Sequence, residues 1–288
     1  MIGKKQLTII VLTFNEEHRI IDCLDSIEEL DVNVLVVDSY STDATIEILN
    51  RRSVPFLQHS FEDYSKQRNW AQKSNPFNTD WVMHIDADER LSPELHQWLK
   101  HFLETEDHEH AGYMFSRRTV FLGKWIRHGG HYPAYHLRLY RTARGHCEAK
   151  AYDQHFIVDG TVCAVPRADL IDMVAHDLTS FVTSHNRWAT FEALELASSG
   201  NDSSGEVQSS ITGSLIERRR WFKQHVFGGA PILVRAFLYF IYRYVFRLGF
   251  LDGREGLIFH VLQGFWFRFL VDAKLFEDRE RAARRVKP

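Results

Sequence analysis

Asp86 and Asp88 stand one residue apart, immediately after the apolar run from Trp81 to Ile85. In a turn at the end of a strand, residues i and i+2 direct both carboxylates toward the same region. Such hard oxygen donors suit Mg²⁺ or Mn²⁺, which keep water and phosphate oxygens in their remaining positions. Two other polar clusters follow apolar runs in the same way. Thr13-Phe14-Asn15-Glu16-Glu17 follows Leu7 to Leu12, and Asp38-Ser39-Tyr40-Ser41-Thr42-Asp43 follows Val34 to Val37. A single acidic strand end more often caps the next helix. Three together define a carboxylate-lined crevice, which calls for a cation or for ligand donors because unpaired carboxylates repel one another.

The elements that position these groups alternate in type. Apolar runs at 7–12, 34–37, 56–57 and 81–85 read as buried strands, the second fully apolar as expected of a strand covered on both faces. Helical spacing recurs between them, with Ile20, Ile21, Leu24 and Ile27 in the first case. A second helix is expected over 42–49 with Ser41 or Thr42 as its cap, and a third over 64–73. Strands alternating with helices imply right-handed crossovers and a mostly parallel sheet, hence an α/β fold. Ligands of such sheets bind beyond the carboxyl ends of the strands, where the three acidic clusters lie.

The chain has 288 residues, 44% apolar and 25% charged, with a formal net charge of −3. These values exclude a polytopic membrane protein and a wholly disordered chain. Cys23, Cys147 and Cys163 are too few and too scattered for a disulfide scaffold or a four-sulfur zinc site, and they suit a reducing compartment. The run after Lys4 and Lys5 is too short for a signal peptide and lacks a small-residue cleavage site. Charge is unevenly distributed. From residue 214 onward there are 15 Lys/Arg against 7 Asp/Glu, whereas the preceding residues carry 20 against 31. An acidic body therefore precedes a basic, aromatic tail.

Four motifs occur in order over about a hundred residues: Leu7 to Glu17, Val36 to Asp43, Lys66-Gln-Arg-Asn69, and Asp86-Ala-Asp88. Together they resemble a family 2 glycosyltransferase, in particular the bacterial branch that includes lipopolysaccharide-core β-1,4-glucosyltransferases. The resemblance implies a GT-A fold, a Rossmann-like nucleotide-sugar-binding domain with a mixed, mostly parallel sheet. It also implies a nucleotide-sugar donor, a divalent metal and inversion at the anomeric carbon. By the same resemblance Thr13, Asn15 and Glu17 line the nucleotide pocket, Asp38 accepts from the base, and Arg68 lies alongside. Asp86 approaches the ribose or the metal, and Asp88 ligates the metal on the diphosphate. A surface ion pair is the alternative role for Arg68.

Short β-like pieces at 112–116, 136–140 and 161–165 are expected to complete the sheet and supply the acceptor side. An inverting transfer needs a base for the acceptor hydroxyl, and a nearby carboxylate is the usual answer. Asp153 is favoured over Glu148 and Asp159, because Tyr152-Asp-Gln-His155 falls where the family's acidic base motif normally lies. Glu148 is the reserve, and a structurally paired loop carboxylate is the competing reading. The Arg127-His-Gly-Gly-His-Tyr-Pro133 segment reads as a glycine-bent loop near the donor sugar, through Gly129 and Gly130, or simply as a turn. Arg138, in a short Arg-Leu-aromatic strand, is placed toward the diphosphate. His176, in Ala175-His-Asp177, matches a family signature where many GT-A enzymes add a histidine ligand to the metal.

The expected organisation is a catalytic domain over 1–197, a flexible connection over 198–213, and a helical appendage over 214–288. Residues 231–250 are long enough to span a bilayer, for which about twenty suffice. They contain Arg235, Arg243 and Arg247, each costing about 2.5–3.5 kcal/mol at the bilayer centre. Helical spacing puts these on one face and Phe237, Leu238, Ile241, Val245 and Leu248 on the other. The expectation is a cationic helix on an anionic membrane surface, the alternative being packing on the catalytic domain. The functional expectation is a peripheral enzyme at the cytoplasmic face of the inner membrane. It would move a hexose, such as glucose from UDP-glucose, onto a glycolipid or lipopolysaccharide-core acceptor, without contacting nucleic acid. A catalytically silent nucleotide-sugar-binding or scaffold protein is the alternative.

Overall fold

The computed structural model of the chain describes residues 6–149, 154–175, 177–198 and 234–286. Its contacts divide the chain into two compact units. The first comprises residues 1–125, 131–150 and 154–176, and the second 126–130, 151–153 and 177–288.

The first unit opens with β1 (Leu7–Thr13), α1 (Ile20–Ile27), β2 (Asn33–Asp38), α2 (Thr45–Arg51), β3 (Phe56–Gln58), α3 (Tyr64–Lys73) and β4 (Trp81–Asp86). These elements match the expected alternation. Every residue of β1 is buried, and α1 turns Ile20, Cys23, Leu24 and Ile27 into the core. Burying such side chains contributes about 1.5–3 kcal/mol each before chain entropy is charged against it. The expected cap of α2 takes another form. The helix starts at Thr45, whose amide donates to Asp43 Oδ1 at 3.0 Å, while the Ser41 hydroxyl bonds Asp38 instead. Asp63 caps α3 by accepting from the Lys66 amide.

Then follow β5 (Glu89–Leu91), α4 (Pro93–Glu104), β6 (Gly112–Phe121), β7 (Lys124–Trp125), β8 (Tyr135–Arg141), β9 (Gly145–Cys147), β10 (Phe156–Val158) and β11 (Val162–Met173). Helix α4 is an addition to the expected elements. Ser92 accepts from the Leu95 amide and Pro93 occupies the first turn, where its missing N–H costs nothing. Leu95, Leu99 and Phe102 give it a buried stripe.

Among the described residues nine strands form one mixed sheet in the order β3-β2-β1-β4-β8-β6-β11-β5, with β7 beside β6. The first four strands are parallel, and β8 pairs antiparallel with both β4 and β6. Register decides what meets at the carboxyl edge. Thr13 lies opposite Asp38, Leu12 opposite Asp86, and Asp172 of β11 opposite Glu89 of β5. The two halves of the core lie on opposite faces of this sheet, as the alternation of Ile9 and Val11 with Ile10 and Leu12 requires.

The second unit is helical. It contains α5 (Leu178–Ser198), α6 (Val234–Ile241), a widened turn (Tyr242–Phe246), α7 (Gly253–Phe259), a second widened stretch (His260–Trp266) and α8 (Phe267–Val286). Helix α5, expected in the catalytic domain, clusters here. It packs Ala189 and Ala193 against Phe267, Val271 and Leu275 of α8, and Glu192 accepts from Arg268 at 2.6 Å. Apart from Ser198, the expected connection lies outside the described residues.

The helix expected over 231–250 is shorter among the described residues: α6 ends at Ile241, a widened turn carries Arg243 with Arg247 just after it, and the arginine side faces opposite to the cationic-surface reading. Arg235 Nε donates to both carboxylate oxygens of Asp272, at 2.8 and 2.9 Å, and the two side chains are 14% and 3% exposed. Arg243 donates to the Gly129 carbonyl at 2.6 Å and to the Tyr239 hydroxyl at 2.9 Å. Buried acceptors thus turn these two arginines inward, and the apolar face looks out. Only Arg247 of the three is exposed.

Candidate active site

The first two acidic clusters are laced together. The Asn15 amide donates to Ser41 Oγ at 2.8 Å, and Asn15 Oδ1 accepts from the Thr42 amide at 2.8 Å. Asn15 has φ 55°, a left-handed conformation that its short amide side chain tolerates through such local bonds. Glu17 accepts from the Ala44 amide at 2.9 Å, while its own amide donates to Asp43. Asp38 is fully buried and accepts from the Ser41 amide and from Gln58 Nε2, each at 2.9 Å. These three residues therefore shape the strand-end loops. Thr13 Oγ1 is buried with no hydrogen-bond partner in the structure, an available donor at the same edge.

The third cluster is held by arginines. One nitrogen of Arg68, on α3, contacts both oxygens of Asp86 at 3.0 Å, and Arg138 of β8 approaches the same carboxylate at 3.5 Å. Arg68 is thus no surface pair: its side chain is 9% exposed. Burial pushes the Asp86 carboxyl up, but Arg68 and Arg138 outweigh it and hold the group down to about 2. Glu89 is the hub beneath. One oxygen accepts from Arg138 at 2.6 Å and the other from the Asp86 amide at 3.0 Å, so it fixes the turn between β4 and β5. Burial pushes its carboxyl up to about 7, against the pull of Arg138.

Asp88 stands differently. Its contact with Arg19 is long, at 3.8 Å, and Arg19 itself is committed to Glu16 at 2.6 Å. Burial, followed by the charges of Asp172, Glu16 and Asp86, drives the Asp88 carboxyl well above the usual range. Asp172 is also raised by burial, with Arg117 at 3.4 Å opposing. A cavity of about 290 Å³ is lined by Arg19, Leu122 and Met173 among others.

Asp86, Asp88, Glu89, Glu16 and Asp172 thus converge with Arg19, Arg68, Arg117 and Arg138. Fixed cations neutralise the Asp86 side, and the Asp88 side keeps an excess of carboxylate. That excess fits a divalent cation, which would offset the burial and the neighbouring carboxylates that raise Asp88. Among the described residues no three His, Cys, Asp or Glu side chains could hold a metal by themselves. Asp88 and Asp86 would supply protein oxygens, leaving positions for diphosphate and water.

Glu148 is fully buried, its carboxylate accepting from the His155 amide at 2.7 Å. The short β9–β10 ladder that carries it docks on α3, where Asn69 exchanges two bonds with the Cys147 backbone. Asp153 and His176 lie outside the described residues. Gly129 and Gly130 belong to the second unit. There Gly129 has φ +68° and a Cβ on it would sit 2.1 Å from the His260 ring, so glycine is required. Asp252, in the Asp-Gly-Arg-Glu-Gly turn, holds this loop by accepting from the His128 amide at 2.9 Å and contacting His128 Nδ1 at 2.6 Å.

Sequence reasoning missed Glu16, Arg19, Glu89, Arg117 and Asp172. Glu16 and Glu89 stand inside motifs already singled out. Asp172 lies inside β11, one residue before its end, and only the antiparallel pairing of β11 with β5 sets it opposite Glu89.

A parallel β3-β2-β1-β4 edge carrying an arginine-bound aspartate and a second aspartate among carboxylates fits a nucleotide-sugar-dependent transferase of GT-A architecture. Residues 8–172 match the model of glycosyl transferase family 2, and the chain belongs to that family. It is similar to the lipopolysaccharide core biosynthesis glycosyltransferase LpsC of Rhizobium meliloti, with 25% identity over 99% of this chain and 97% of that protein. An uncharacterized glycosyltransferase of Rickettsia typhi is 30% identical over 36% of this chain and 35% of its own length. In fold it resembles a mannosyltransferase of Pyrobaculum calidifontis solved with GDP-Man and Mn²⁺. The TM-score is 0.53 at 14% identity, over 96% of this chain and 89% of that one.

Proposed function

We propose that this glycosyltransferase is an inverting, divalent-metal-dependent enzyme that moves a hexose from a UDP donor such as UDP-glucose. Its acceptor is a glycolipid or lipopolysaccharide-core sugar at the cytoplasmic face of the inner membrane. The observation that carries the metal-dependent chemistry is the asymmetry of the Asp-x-Asp turn: Asp86 is neutralised by Arg68 and Arg138, while Asp88 stands among carboxylates. The acceptor class rests on the near-full-length similarity to LpsC.

In this reading Asp88, with Asp86 and His176, holds the cation. When bound, the cation neutralises charge developing on the leaving nucleoside diphosphate. Thr13, Asn15, Glu17, Asp38 and Arg68 form the donor nucleotide side. Thr13 offers its unpartnered hydroxyl, and Asn15, Glu17 and Asp38 keep the loops in place. Arg138 keeps Asp86 ionised and steers the diphosphate. Gly129 and Gly130 form the donor-sugar loop, and Asp153 takes the proton from the acceptor hydroxyl as it attacks. Glu148 is the less suitable base, because His155 already engages its carboxylate.

A thermal-shift screen of nucleotide sugars with and without Mn²⁺ tests this, since a ligand that binds only the folded form raises apparent stability. UDP-glucose is expected to stabilise the chain only with metal. Stabilisation by no nucleotide sugar under either condition would refute the proposal.

A further inference from the structure

We propose that the outward apolar face running from α6 to Leu251 inserts into the interfacial layer of an anionic lipid bilayer, and that this insertion rather than arginine pairing attaches the protein. The inference rests on the membrane-borne acceptor proposed above and assigns the surface that meets it. Val234, Phe237 and Leu238 share one side of α6 at three- and four-residue spacing, and Tyr242, Val245 and Phe246 of the widened turn that follows are exposed as well. Phe237 is 52% exposed, Leu238 54% and Phe246 73%. The opposite face cannot turn outward without breaking Arg235–Asp272 and Arg243–Gly129. The stripe is therefore presented by a helix locked in rotation. Its continuation, Leu248, Phe250 and Leu251, is about half exposed, and the Phe250 ring lies 6.3 Å from Tyr244.

Water is a poor neighbour for so many adjacent apolar side chains, and charge selects among the occupants. Residues 234–251 contain no Asp or Glu, and Arg247 within them and Arg254 just beyond are exposed. A second copy packed stripe to stripe would bring these like charges together, which is unfavourable. Anionic headgroups complement them while the acyl boundary receives the rings. Among the described residues no helix is long and apolar enough to cross a membrane, so the stripe lies in the interface.

The test is co-sedimentation of the full chain with phosphatidylethanolamine–phosphatidylglycerol vesicles across a salt series. The comparison is the variant Phe237→Ser/Leu238→Ser/Val245→Ser/Phe246→Ser. The four exposed replacements should leave circular dichroism and metal-dependent nucleotide-sugar stabilisation unchanged and lower vesicle partition by about 10²-fold. Raised salt should weaken wild-type binding only in part, because screening acts on Arg247 and Arg254 and not on buried rings. Equal partition of both proteins, or complete release by salt alone, would overturn the proposal. A dimer that the variant dissolves, without vesicle binding by either protein, would assign the face to a second copy. Loss of nucleotide-sugar stabilisation in the wild type would count against the transferase reading alone, since vesicle partition is measured separately.

Discussion

Replacing Arg235 with Gln separates two roles for the arginines of α6. In the structure the guanidinium lies against Asp272, with Nε 2.8 and 2.9 Å from its two oxygens, and the Asp272 side chain is 3% exposed. Removing one partner of a buried ion pair costs about 3–5 kcal/mol, because the remaining charge stays desolvated. Glutamine can return one neutral hydrogen bond worth about 1 kcal/mol. The net loss is then about 2–4 kcal/mol, a large share of the roughly 5–15 kcal/mol that holds a domain folded. At about 2–4 °C per kcal/mol, the melting midpoint should fall by roughly 5–15 °C. An arginine whose partner was solvent or lipid would change stability by no more than about 0.5 kcal/mol.

The assay is thermal and urea unfolding of the full chain, with Asp272→Asn and the double variant completing a cycle. The double variant should be less destabilised than the sum of the singles by about 0.5–3 kcal/mol, since the two side chains are in direct contact and each single variant already breaks their shared ion pair. Below its melting range Arg235→Gln should bind vesicles as the wild type does, because Arg243 still donates to the Gly129 carbonyl and keeps the apolar side outward. A midpoint within a degree or two of wild type together with zero coupling would refute the inward orientation. Reduced vesicle binding by a stable Arg235→Gln protein would restore the cationic-surface reading.

Asp88→Asn should abolish transfer and metal-dependent donor binding without lowering the melting midpoint, because it removes a charge crowded by Asp172 and Glu16; normal turnover would remove Asp88 from the metal site. Asp153→Asn should keep donor binding and slow turnover by roughly 10²–10⁴-fold, the usual range for a lost general base, and a near-normal rate would move that role elsewhere. Acid should destabilise the helical unit through His185, which burial lowers to about 4 from the ordinary 6.5. The unfolded chain then binds more protons between those values, so stability falls by up to about 1.4 kcal/mol per pH unit as pH drops below 6.5. Melts of wild type and His185→Gln from pH 7 to 5 should show a smaller acid loss in the variant, and parallel curves would exclude His185 as the source.

Much of the first unit was legible because its signals are local. A strand covered on both faces must be continuously apolar, and the next polar residue marks the edge where ligands bind. Asp38 and Asp86 were found that way, and register then placed Thr13 beside Asp38. Glu89 and Asp172 escaped notice because their meaning is nonlocal. Nothing within either motif says that β5 and β11 pair antiparallel and set the two residues opposite each other across 83 positions of chain. Arg68 illustrates the same limit. On helical spacing alone it fits a surface ion pair, and only the packing of α3 delivers it to Asp86.

The tail shows a limit of another kind. Periodicity separates an arginine side from an apolar side over 234–247, but period carries no sign. The usual rule, charge outward and apolar inward, assumes that water is the outside and that no buried acceptor awaits the charge. Asp272 on α8 and the Gly129 carbonyl are such acceptors, 37 and 114 positions away in sequence. Each offers a guanidinium a charge-assisted or carbonyl hydrogen bond in a site with little water, where such a bond is stronger than at the surface. Satisfying them fixes the rotation of the helix and leaves the apolar stripe facing outward. The exposed rings therefore follow from the same internal bonds that disqualify Arg235 and Arg243 as an anchor, so a helix whose arginines proved dispensable for stability would also lose its reason to display Phe237 and Phe246.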